Sequence, residues 1–199
     1  MSEVTTSGLY AAEHRAYREL HAMTRQLESH WRKLARRLDD DFLAEGASQA
    51  GALLAGLEQR IGSDHDLHGQ PAAQSVGASL AGARGVSDLL LERNQAFRTA
   101  LLDLQHVTTL VAYVAELART RGDDELVRWL DRWGVQLDAL EENGRAAAVA
   151  MGRDPAGAIE PADPGRAGRA GARVGVAFGT VGEAIDHSLL GRLARRRAT

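Results

Sequence analysis

The sequence predicts an all-α protein: an antiparallel four-helix bundle with one long crossover, followed by a flexible C-terminal tail. Three observations carry this. Apolar residues recur at three- and four-residue spacing through four long stretches, the period of a helix with one buried face. Aromatics make up only 5% of the 199 residues while alanine is abundant, which favours helix over sheet. A long stretch rich in glycine and serine separates the first two helical stretches from the last two.

The first seam runs through Leu9, Ala16, Leu20, Met23, Leu27 and Leu34, with Glu13 and His30 at positions where apolar residues are expected. Ser7 is a suitable N-cap, and one of Asp39, Asp40 and Asp41 is expected to cap the next helix. That second helix carries Leu43, Ala47, Ala50, Leu54, Leu57 and Ile61, with Gly62 as its stop. So short a connection makes the two helices antiparallel neighbours. Residues 62 to about 86 hold glycine, serine and Pro71, with one helical turn expected near Ala78 to Ala83. A connection of this length inside a domain needs a reason, and a crossover running the length of a bundle supplies one.

The third helix is the most apolar. Its seam is Leu90, Asn94, Phe97, Leu101, Leu104, Thr108, Val111, Ala115 and Ala118, widened by Leu102, Leu110, Tyr113 and Leu117. Arg121, Gly122 and Asp123 form a tight turn with a glycine stop and an aspartate cap. The fourth helix carries Leu126, Leu130, Trp133, Leu137, Leu140, Gly144, Ala147 and Met151 and ends before Pro155. Two short-looped hairpins joined by one long crossover is the ferritin-like order, which places the bundle at residues 7–152. Residues 153–174, rich in Pro, Gly, Ala and Arg, read as a linker. Residues 175–199 form a basic amphipathic segment: Val181, Ile185, Leu189 and Leu193 share one helical face, with Arg192, Arg195, Arg196 and Arg197 at its end.

Composition excludes several classes of chemistry. There is no cysteine, hence no disulfide scaffold, thiolate metal site or cysteine nucleophile. The net charge is −3 but uneven: eight arginines and five acids from Arg153 onward make the tail +3 and leave the body at −6. An acidic body is a poor nucleic-acid binder, so no nucleic-acid partner is expected and only the tail would seek an acidic surface. The N-terminus lacks the basic and apolar regions of a secretory signal, and no apolar run is long enough to span a membrane; a cytoplasmic address is expected. Phosphate-loop, dinucleotide-binding, zinc-protease and serine-hydrolase motifs are all missing.

The metal candidates are Glu13, His30 and Glu45. A carboxylate and an imidazole facing a bundle core are costly unless paired or metal-bound. Glu45, with Gln49 one turn on, is placed to face Glu13 across the first hairpin. Iron or another divalent metal is the cofactor class such a set would take. The plainer readings are that Glu13 reaches water near a helix end, that His30 is a satisfied core histidine, and that Glu45 and Gln49 form a solvent-facing pair. His14, His21 and Glu28 lie on one stripe beside Arg18, Arg25 and Arg32, the pattern of a polar flank. His65 and His68 form a weak loop candidate. His106, Glu116, Glu141 and Glu142 do not complete a four-helix ligand set.

The stretch from Leu9 through Tyr10, Ala12 and Glu13, followed by Glu45 and Gln49 on the second helix, resembles the first hairpin of the ferritin-like family of YciF-type bacterial stress proteins. The turn from Arg121 into Leu130 resembles that family's second hairpin turn. The resemblance spans about residues 8 to 150. It implies the bundle fold and a link to stress response. Phe42 stands where the family's second-helix histidine is expected, and the expected carboxylates of helices three and four fall near Val107 and Gln136. The fold therefore carries over better than the metal site. Expected function follows: a non-catalytic or degenerate ferritin-like bundle that forms homo-oligomers and docks a protein partner through its C-terminal segment. The alternatives are a metal-binding, di-iron-type protein and, behind it, a protein held peripherally on a membrane surface by the tail.

Overall fold

The structure, a computed structural model, describes residues 10–61, 91–163 and Gly165. These form four long helices and no strand: α1 (Ala11–Leu38), α2 (Asp41–Ile61), α3 (Arg93–Arg121) and α4 (Asp124–Ala150). A 3-10 turn at Met151–Arg153 and a one-turn helix, α5 (Pro155–Ala158), follow. Ser7, Leu9, the expected crossover with His65 and His68, and the expected docking residues Val181, Ile185, Leu189, Leu193, Arg195 and Arg196 lie outside the described residues.

The helix ends obey local chemistry. Asp39 closes α1 in the left-handed region at φ 51°, a conformation that aspartate tolerates better than most residues. Asp40 then caps α2, its Oδ1 accepting the Leu43 N–H at 2.9 Å. Glu92 and Gln95 form a reciprocal capping box at the start of α3. Gly122, at φ 83°, ends α3, and Asp123 Oδ1 takes the Leu126 N–H at 3.0 Å to start α4. The expected turn at residues 121–123 is present as read.

α1 packs against α2 and α3, and α4 packs against the same two helices. Their shared core includes Leu20, Trp31, Phe97, Leu104, Leu130 and Leu137, all fully buried. Trp31 is its largest member. Its Nε1 donates to the Ala100 carbonyl at 3.1 Å, and Phe42 bridges it to Phe97 with ring centroids 5.7 and 5.8 Å apart. Gly46 admits the indole, because a Cβ there would collide with its six-membered ring. Gly56 does the same for Trp129, whose ring lies 2.6 Å from where a Cβ would stand.

Three sequence expectations change. Leu102 and Tyr113 do not widen the α3 seam: they are 61% and 49% exposed. α3 touches both α1 and α4, so its buried residues form two adjacent rows, with Ala96, Ala100, Val107 and Val114 filling the second. Leu102 and Tyr113 fall on the remaining side. On α2 the deeply buried leucine between Leu43 and Leu57 is Leu53 and not Leu54. Nor does the chain become a free linker at Arg153. It folds back along the start of α3: Arg93 N–H donates to Glu160 O at 2.6 Å and Ala162 N–H to Leu91 O at 3.1 Å, and Ala162 is 1% exposed. Among the described residues no helix is long and apolar enough to cross a membrane.

Candidate functional site

Two polar clusters interrupt the apolar interior, and each is built on one of the two residues that break the α1 seam. Glu13 lies in the first turn of α1 and is wholly buried. Its Oε1 accepts the Tyr17 hydroxyl at 2.5 Å, from one helical turn away, and Arg121 Nε at 2.9 Å from the last turn of α3. Arg121 also donates through Nη2 to Asp123 at 2.9 Å, tying the cluster to the cap of α4. Glu13 Oε2 is buried without a hydrogen-bond partner.

The electrostatics of this cluster are tightly coupled. Burial, reinforced by the hydrogen bond to Glu13 and by its negative charge, pushes the Tyr17 phenol well above the usual tyrosine range. Burial alone would weaken the Arg121 cation, but its hydrogen bonds with Tyr17 and Glu13, and their charges, outweigh that and hold it more firmly protonated. A guanidinium thus supplies positive charge beside the one carboxylate that the apolar seam least explains.

The second cluster lies farther along α1. His30 Nδ1 is 2.9 Å from Asp103 Oδ2 on α3, with the two residues 9% and 1% exposed. Glu45 belongs to neither cluster. It is exposed on α2, where its Oε1 accepts Gln49 Nε2 at 3.0 Å. Glu13 and His30 are seventeen positions apart on one helix, an axial distance of about 25 Å. The structure therefore brings Glu13, His30 and Glu45 together in no common site. Among the described residues there is no group of three or more His, Cys, Asp or Glu side chains able to hold a metal ion.

The remaining candidates resolve as polar seams. His21 is buried and meets Glu58 of α2 at 3.0 Å, with Arg25 alongside at 3.4 Å. Glu28 pairs with Arg32 along the helix. His106 reaches Glu19 at 3.4 Å on the surface. Glu116 pairs with Arg119, and Glu141 with Arg145. Sequence reasoning missed Asp103 and Arg121, the partners of the two anomalies. Asp103 carries a readable signal, being the one acid within the apolar run from Ala96 to Ala115. Arg121 does not, since an arginine in the last turn of a helix already has a local explanation in the helix dipole. The Thr24 hydroxyl and both amide atoms of Gln26 are buried without hydrogen-bond partners.

Comparison of the chain with protein-family models, with curated proteins and with solved structures finds no match.

Proposed function

We propose that this chain is a non-catalytic, ferritin-like helical bundle whose work is assembly: it forms homo-oligomers and offers its surface and C-terminal segment to a protein partner. The observation that carries the reading is the pairing of Glu13 with Arg121 and Tyr17. An interior carboxylate that already accepts from a cation and a phenol has a structural task, and the His30–Asp103 pair has the same character. Neither cluster adds a nucleophile or a convergent ligand set.

The ferritin-like layout is supported by the order of the cross-helix contacts. Glu13 meets Arg121, His30 meets Asp103, and Arg93 donates to the Leu38 carbonyl, so position rises along α1 as it falls along α3. The same opposed order holds for α2 against α4, through Arg60–Glu125 and through Gly144, whose Cβ would meet Phe42. It holds again for α3 against α4, where Arg119 meets Asp131 and Asn94 donates to Ala148 O. With α1 also opposed to α2, through His21–Glu58 and the approach of Gly46 to Trp31, α2 and α3 run in the same direction, as the ferritin-like order requires. The likeness to YciF-type proteins supports the same layout and a place in stress response.

The test is the native mass of the full-length chain at several concentrations. A species larger than one chain is expected; a strict monomer across the whole range would overturn the assembly reading.

A further inference from the structure

We propose that the outward face of α1 is the seat for α4 of a second copy, held by a row of arginines against a row of acids. This rests on the assembly reading above and names its surface. Basic residues crowd α1: seven of the 16 in the body of the chain lie between Arg15 and Arg37. Arg15, Arg18, Arg25 and Arg32 are spaced by three, seven and seven residues, which puts them on one side of the helix. Ala22 and Ser29, one heptad apart, lie between them and allow close approach.

α4 carries the complement. Asp124, Asp131 and Asp138 are also spaced by seven, and Glu142 continues their face. Val135 sits in the middle of it, 71% exposed. Laid antiparallel, the two faces match along their whole length: Arg15 meets Glu142, Arg18 meets Asp138, Ala22 receives Val135, Arg25 meets Asp131 and Arg32 meets Asp124. Opposed helix dipoles favour this direction, and rows of opposite charge at heptad spacing are the usual means of fixing partner and register between helices. Several of these charges keep local partners: Arg32 is paired with Glu28, and Arg25 and Asp131 have long contacts of 3.5 Å with Glu58 and Arg119. Their side chains stay about half exposed. Arg15, Arg18, Asp138 and Glu142 have no ion pair among the described residues.

The symmetry of the assembly follows. α1 and α4 both pack on α2 and α3, so their outward faces point to opposite sides of the molecule. One copy cannot offer both faces to the same neighbour, and the contact is head-to-tail, closing into a ring or extending as a chain.

Charge exchange tests this in the full-length protein. Arg15→Glu with Arg18→Glu, or Asp138→Arg with Glu142→Arg, should each raise the concentration needed for assembly by about tenfold or more. Combining all four should restore assembly, and raising salt should weaken the wild-type contact. Arg15, Asp138 and Glu142 are exposed and Arg18 is half-buried; helical content and melting temperature report folding, and the neutral changes Arg15→Gln with Arg18→Gln provide a milder version. If the wild-type chain assembles and neither reversed variant changes its mass, this contact is overturned while the assembly reading stands. Weakening without rescue in the four-residue exchange overturns the proposed register. Loss of binding to acidic phospholipid vesicles, with native mass unchanged, would mark the arginine row as a membrane-facing surface and overturn the proposal.

Discussion

Arg121 Nε donates to Glu13 Oε1 at 2.9 Å across 108 positions of sequence, joining the first turn of α1 to the last turn of α3. Glu13 is fully buried and Arg121 is 30% exposed, so the carboxylate depends on the guanidinium more than the reverse. Arg121→Ala is expected to destabilise the fold by about 3 kcal/mol, the low end of the range for breaking a buried pair. Adding Glu13→Gln should recover part of that loss, because the stranded charge is then gone. Denaturant unfolding of the two variants checks this; equal or additive losses would show that the pair is not coupled.

Tyr17 gives the same cluster a signature in pH. Its pKa is raised by burial and then by Glu13. A group whose folded pKa lies above its unfolded value contributes stability that is complete below the unfolded pKa and disappears as pH climbs toward the folded one. The loss therefore begins above the ordinary tyrosine value of about 10. Thermal melts at rising alkaline pH should fall more steeply for the wild type than for Tyr17→Phe. Parallel curves would mean that the phenol is not held by the buried carboxylate.

Two helical glycines should respond to alanine with opposite sign. Gly134 in α4 has open space where a Cβ would stand, so Gly134→Ala should stabilise by about 0.5–1 kcal/mol through helix propensity. At Gly46 the same change drives a methyl group into Trp31 and should cost about 1–3 kcal/mol from overpacking, despite the same gain in propensity. Melting temperatures of the two variants read the difference directly.

Helix periodicity and capping chemistry made much of the fold legible. The seams of α1 and α4, the aspartate before α2 and the turn from Arg121 to Asp123 could all be read from spacing alone. The second buried row of α3 could not, because a helix touching two neighbours buries two rows and its one-dimensional pattern fits either side; Leu102 and Tyr113 fit the pattern and yet are exposed. Glu13 and His30 stood out because each broke an apolar seam. Their partners sit 108 and 73 positions away, and no local pattern pairs residues at such distance. Without Arg121 and Asp103 in view, a polar pair and a metal ligand look alike. Composition after Arg153 is that of a linker, yet Ala162 is buried and its N–H bonds the Leu91 carbonyl, a contact that periodicity does not detect.

Glu13 and His30 are each answered by protein groups, Arg121 and Tyr17 for the first and Asp103 for the second, and neither is expected to hold a metal. Elemental analysis of the native full-length protein, produced with iron, manganese and zinc supplied, is the decisive measurement. Well under one ion of any of these per chain is expected, with a melting temperature that added iron or zinc does not shift. One or more ions per chain, retained through purification and lost in Glu13→Gln or His30→Ala, would contradict it.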